Sequence, residues 1–182
     1  MSQKKKNPKN FPATPDEVEQ QYNAGVSAGT NEGLMVYMTI LRDKTGYGWK
    51  RLKRVWDCSR RLCDLVSVGM VAVPELAQRV DKIMAEPLCP LMHSHYKPFK
   101  LPEPPVTQAD VRRSYNRGME EGRQFATLVF ILALNKCEGF KRFKLRDIVH
   151  KADELRKSIE RGYVKVSDLQ QVLEDEVHIR FE

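Results

Sequence analysis

Tyr22-Asn23-Ala24-Gly25-Val26-Ser27-Ala28-Gly29 is echoed ninety-three positions later by Tyr115-Asn116-Arg117-Gly118-Met119-Glu120-Glu121-Gly122. The same shift lays Thr14 on Thr107, Val18 on Val111, Val36 on Val129, Leu41 on Leu134, Gly46 on Gly139 and Leu52 on Leu145. It then carries Gly69, Val71 and Val73 onto Gly162, Val164 and Val166 without a gap. Self-similarity at one fixed spacing marks a duplicated unit. The repeated unit reads as helical. Val18, Tyr22, Gly25, Gly29, Val36, Ile40 and Leu41 recur at the spacing of one helix face. The expected fold is therefore all-α, with two tandem three-helix modules and a minimal two-stranded pairing between them as an option.

Working outward, Thr14-Pro15-Asp16-Glu17 has the form of a helix start: a capping hydroxyl, proline at the first helical position, and glutamate placed for a capping box. Thr107-Gln108-Ala109-Asp110 is a weaker version. The first helix is expected over about Pro15 to Asp43 and its copy over about Gln108 to Lys136. Each carries two interior glycines, and each glycine costs roughly 1 kcal/mol relative to alanine. Retaining them implies that another element packs closely on that stripe. A glycine turn at Gly46 or Gly139 should lead to a second helix, Trp49 to Val66 or Lys141 to Ile159, packing back on the first. The runs 69–73 and 162–166 alternate enough to suggest the short strand pair. Third helices should start near Pro74 and Ser167.

These readings divide the chain into a disordered basic tail (1–13), helical module 1 (14–86), a proline-rich linker (87–106) and helical module 2 (107–182). Modules of about seventy residues have thin cores, so the two should pack on each other. Pro87, Pro90, Pro98, Pro102, Pro104 and Pro105 predict an extended, semi-rigid strap without helix. The apolar stretch from Phe125 to Leu134 reads as a buried centre or a homodimer interface.

The net charge is +7. Four of those charges lie on the lysines of the first thirteen residues. The modules are near neutral overall, yet residues 42–61 hold eight basic and two acidic side chains. Basic clusters on the second helices are the candidate contact surface for nucleic-acid phosphates or an acidic protein. They comprise Lys50, Arg51, Lys53, Arg54, Arg60 and Arg61 in the first half, and Lys141, Arg142, Lys144 and Arg146 in the second. The competing reading is a solvated helix face.

Cys58, Cys63, Cys89 and Cys137 have no CxxC spacing, and reduced thiols are expected. The N-terminus lacks the apolar core of a signal peptide, and no apolar run approaches membrane-span length, so a soluble protein is expected. Cys89, His93 and His95 could begin a zinc site but lack a fourth ligand, and no metal or other cofactor is expected. An EF-hand register on Gly69 or Gly162 puts Asp64, Val66 and Val68, or Lys157, Ile159 and Arg161, at the first calcium ligand positions, and five of these six lack a side-chain oxygen donor, so that reading fails. No phosphate-binding loop, nucleophile elbow, zincin or dinucleotide motif is present, which points away from an enzyme.

Three motifs carry a resemblance: Tyr22-Asn23 with Gly25 and Gly29; Gly46-Tyr47-Gly48-Trp49-Lys50-Arg51-Leu52; and Gly69-Met70-Val71-Ala72-Val73. Together they resemble small helical proteins of Firmicutes phages and prophages. Module 2 departs from the pattern at Lys141-Arg142-Phe143, where the second glycine is missing. In its tandem form the chain is similar to type II-A anti-CRISPR proteins. That likeness implies non-enzymatic inhibition of a type II RNA-guided Cas nuclease carrying its guide RNA, in the cytoplasm of the bacterial host. The alternative is a phage DNA-binding or regulatory protein that uses the basic second helices. Weak duplex DNA binding is compatible with both.

Overall fold

A computed structural model describes residues 11–93 and 99–179. Within them the protein is all-α: α1 (Pro15–Thr45), α2 (Trp49–Ser67), α3 (Val73–Met84), α4 (Gln108–Glu138), α5 (Arg142–Glu160) and α6 (Val166–Val177), with a 3-10 turn at Pro90–Met92. Each of α4, α5 and α6 begins ninety-three positions after its counterpart and has the same length.

α1 begins as its sequence dictates. The Glu17 N–H donates to Thr14 Oγ1 at 3.2 Å, and the Thr14 N–H donates back to Glu17 Oε2 at 2.9 Å. At the start of α4, Asp110 Oδ2 accepts from both the backbone N–H of Thr107, at 3.0 Å, and its hydroxyl, at 2.7 Å. Both long helices stop at a left-handed glycine, Gly46 (φ 64°) and Gly139 (φ 64°), whose N–H returns to Leu41 or Leu134.

The centre of the fold is the α1–α4 pair. A Cβ on Gly25 would lie 2.3 Å from the Tyr115 carbonyl oxygen, and one on Gly118 would lie 2.3 Å from that of Tyr22. Likewise Gly29 faces the Met119 oxygen at 2.1 Å and Gly122 that of Val26 at 2.2 Å. The contacts advance together along both chains and exchange under the ninety-three-residue shift. The helices therefore run parallel, related by a pseudo-two-fold axis between them. Backbone touches backbone here, a spacing that admits weak Cα–H···O contacts and no side chain. This is what the glycines are for. Further along, Tyr37 stacks on Phe130 with centroids 4.6 Å apart, and Tyr47 meets Phe140 edge-on at 6.3 Å. Both pairs join equivalent positions. The stretch Leu34–Leu41 and most of Ala126–Leu134 are buried on every side and form the core, so the apolar run of α4 is a buried centre.

The second helices do not pack back on their own modules. α2 lies mainly on α4, and α5 on α1; α3 joins α4, and α6 joins α1. The expected modules 14–86 and 107–182 are thus interlocked rather than set side by side. The reason is spatial. With α1 and α4 in backbone contact, each glycine turn delivers its second helix to the flank of the neighbouring long helix. There Leu52 and Val55, or Leu145, Ile148 and Ala152, become buried.

Three further expectations are corrected. Residues 69–73 and 162–166 form no strand pair. Gly69 (φ 72°) and Gly162 (φ 75°) make tight left-handed turns, and α3 and α6 start at Val73 and Val166. The extended pairing among the described residues lies elsewhere, between Pro12 and Thr107, with Ala13 N–H to Val106 O at 2.9 Å and Gln108 N–H to Phe11 O at 3.0 Å. Residues 11–13 are therefore not part of a disordered tail; residues 1–10 lie outside the described residues. The proline strap holds one short 3-10 turn with Pro90 at its first position, where a missing N–H costs nothing. Gln124 of α4 pins this strap, accepting from the Leu91 N–H at 3.0 Å and the Cys89 thiol at 3.5 Å. Phe99 stacks on Tyr22 at 4.0 Å.

Candidate partner interface

The turns Gly46–Gly48 and Gly139–Lys141 bring the starts of α2 and α5 to the same end of the molecule, either side of the Tyr47–Phe140 contact. Arg51 lies 4.2 Å over the Tyr47 ring and Lys144 lies 3.7 Å over the Phe140 ring. Part of the predicted basic surface is therefore continuous at that end. The remainder diverges, because Arg60 and Arg61 follow α2 along one long helix while Arg146 follows α5 along the other. All ten predicted residues are exposed except Arg142, which is half-buried beside the exposed Phe143 ring.

Several of these cations are committed within the fold. Glu138, at the end of α4, has a side chain only 2 % exposed. It accepts from the Tyr47 hydroxyl at 2.9 Å, from Arg51 Nη2 at 3.0 Å and from Arg54 through both Nε, at 3.1 Å, and Nη2. Burial is the largest single influence on the Glu138 carboxyl and pushes its pKa up. The hydrogen bonds from Arg54, Tyr47 and Arg51 together outweigh it, and the net pKa is lowered. Burial, followed by the bond to Glu138, lifts Tyr47 to about 12. Lys53 pairs with Asp57 at 2.9 Å, and Arg146 with Glu86 at 2.8 Å. Lys50, Arg60, Arg61 and Lys141 have no ion-pair partner among the described residues.

The open cations do not simply coat a helix. Trp49, Lys50, Lys53, Arg54, Asp57, Cys58 and Arg61 of α2, with Lys136 and Cys137 of α4, line a groove of about 520 Å³. Asp57 is its lone carboxylate and is already matched by Lys53. Trp49 is 48 % exposed, and its ring has no aromatic partner among the described residues. Burial, then a hydrogen bond with Cys58, raises the Cys137 thiol to about 11, so Cys137 stays protonated at neutral pH. Lys136, Cys137 and Glu138 were missed by sequence reasoning. They lie about eighty residues from their α2 neighbours, and only the exchange of second helices joins them.

Shifted by ninety-three positions, the groove residues become Arg142, Phe143, Arg146, Asp147, His150, Lys151 and Glu154, with Asp43 and Lys44. That equivalent face carries three carboxylates instead of one, and most of its charges are paired: Arg146 with Glu86, Lys151 with Asp147, and Asp43 with Arg42, while Glu154 lies 3.5 Å from His150. The structure therefore separates the two predicted clusters by character. One is a basic, tryptophan-bearing groove and the other a mixed-charge face.

At the considered zinc site, Cys89 is buried against α4, where burial lifts its thiol to about 12. His93 Nε2 lies 3.2 Å from Asp81, and His95 lies outside the described residues. No group of three side chains able to hold a metal occurs among the described residues, and no described helix is long and apolar enough to cross a membrane. Comparisons with protein-family models, curated proteins and solved structures found no match.

Proposed function

We propose that this chain is a non-enzymatic binding protein whose α2 face engages a phosphate-rich partner. The carrying observation is the groove between α2 and the end of α4, where Lys50, Arg61 and Lys136 stand without carboxylate partners among the described residues. Buried Glu138 beneath it fixes Arg51 and Arg54, so their outer N–H groups are presented by a rigid base. Preorganised cations of this kind bind phosphate with less ordering cost than free side chains. The partner implied by the sequence resemblance is a type II RNA-guided Cas nuclease loaded with its guide RNA, whose exposed RNA offers such phosphates. On this reading the protein is an anti-CRISPR inhibitor that hinders target engagement or cleavage by occupying a surface. In a cleavage assay with nuclease, guide and target DNA, excess protein added before the target should suppress cutting, and immobilised protein should retain the guide-loaded nuclease. Full cleavage together with no retention removes the reading.

The second reading, a duplex DNA-binding regulator, draws on the same cations. It predicts affinity for duplex DNA that falls steeply with salt as counterions are released. Unchanged duplex affinity after Lys50, Arg51, Lys53 and Arg54 are all replaced by glutamate would rule out α2 as the DNA contact.

A further inference from the structure

We infer that the α2–α4 groove binds an unpaired nucleotide, with a base stacked on Trp49 and the adjoining phosphates held by Lys50, Arg61 and Lys136. The inference rests on the reading of this face as a partner interface and names its ligand. Three observations carry it. The groove cations outnumber its one carboxylate, and Lys50, Arg61 and Lys136 have no ion-pair partner among the described residues, so the ligand is an anion. A half-exposed indole stands among them without a ring partner among the described residues, so the ligand also has a flat face to offer. Aromatic platforms beside cations are the usual means of holding single-stranded nucleic acid, since every base has a π face. Finally, the groove volume of about 520 Å³ suits a unit of nucleotide size rather than the width of a double helix. An acidic peptide would satisfy the cations and leave the indole unused. The equivalent face around α5 supplies an internal control, because Arg142 replaces Trp49 there and Asp43, Asp147 and Glu154 stand among its cations.

The test uses the full chain and a fluorescein-labelled ten-nucleotide single-stranded RNA, compared with a twenty-base-pair DNA duplex, inorganic phosphate and polyglutamate. Intrinsic fluorescence of the Trp56→Phe variant reports Trp49 alone. The RNA should quench that emission and bind more tightly than the duplex. Trp49→Ala should weaken RNA binding about tenfold, and Trp49→Phe should restore most of it. Lys50→Glu with Arg61→Glu should weaken binding and flatten its salt dependence, while Arg142→Ala with Arg146→Ala should leave it within twofold. Circular dichroism of each variant separates lost binding from lost folding. Three results overturn the inference: no RNA binding, binding that Trp49→Ala leaves unchanged, or binding to duplex or polyglutamate as tight as to RNA. RNA binding by a protein that does not retain the loaded nuclease would overturn the proposed inhibitor and leave this inference standing. Retention of the nuclease without Trp49-dependent RNA binding would do the reverse.

Discussion

The α2 and α5 faces occupy equivalent places in a pseudo-symmetric fold and differ in nearly every outward side chain. Both helices start after a glycine turn, bury the same register of apolar residues and lie on the opposite half's long helix. Outside, α2 presents Trp49, Lys50 and Arg61 where α5 presents Arg142, Phe143 and Glu154. The inward positions are held alike by packing. The outward ones are free to differ, and they have made one groove basic and the other face mixed in charge. A pseudo-symmetric scaffold thus carries a one-sided surface. The same asymmetry runs inward at one point: Glu138, which anchors Tyr47, Arg51 and Arg54, stands where the first half has Thr45, whose hydroxyl donates to the Leu41 carbonyl of its own helix.

The strongest way to break the equivalence of the halves is at the helix crossing. Gly29→Ala and Gly122→Ala each force a methyl group onto a backbone oxygen. Each should destabilise by about 3 kcal/mol in urea unfolding, less the modest helix-propensity gain. The two losses should agree within about 1 kcal/mol, whereas Gly48→Ala, which meets open space, should cost less than about 1 kcal/mol. A large difference between Gly29→Ala and Gly122→Ala would show that the pseudo-two-fold axis does not govern the pair.

The next effect sharpens the contrast between the faces. Reversing Lys50, Lys53 and Arg61 to glutamate should weaken binding of a polyanion such as heparin by tenfold or more, about 1.4 kcal/mol. Reversing Lys141, Arg142 and Arg146 should change it less than threefold, as measured by elution salt and titration. Equal losses from both faces would dissolve the distinction.

A smaller effect isolates Glu138. Glu138→Gln keeps the shape but removes the charge that fixes two guanidinium groups, and should cost about 1 kcal/mol after allowing for screening at the exposed arginines. Thr45→Ala, at the equivalent site, should cost less than half of that. Thermal melts of both variants check the order.

The smallest effect is in pH. Glu138 has its pKa lowered from 4.5 in the folded state, so its contribution is complete above pH 4.5 and is lost as pH falls through the lower, folded value. Tyr47 is raised from 10.0 to about 12, so its contribution is complete below pH 10 and is lost as pH rises towards 12. Melting temperature should therefore show a plateau from this network between those limits. Glu138→Gln should soften the acid limb, and Tyr47→Phe the alkaline one. An unchanged acid limb in Glu138→Gln would show that the network does not set it.

Much of the scaffold was legible because its signals are local. Thr14-Pro15-Asp16-Glu17 starts a helix through contacts within one turn, and Gly46 and Gly139 end helices through their own backbone freedom. The interior glycines of α1 and α4 announced a close neighbour, since their cost in a helix needs an offsetting contact. The run 162–166 misled because its alternation resembles a strand, whereas the turn at Gly162 and the following helix use the same residues. The basic residues of the groove were legible as types. Their allocation was not, because Arg51 and Arg54 meet Glu138, and Trp49 shares a groove with Lys136 and Cys137, only across the two halves.

The sequence by itself determined that the chain is helical, that its elements repeat at a shift of ninety-three residues, and that glycines mark a close crossing. Those are consequences of periodicity, caps and propensity, which act over one or two turns. Only the tertiary structure decided which helix lies on which, and hence which cations are neutralised and which remain open. Helix partners are chosen by the packing of surfaces far apart in the chain. In this fold the backbone contact of α1 with α4 gives each second helix to the other half.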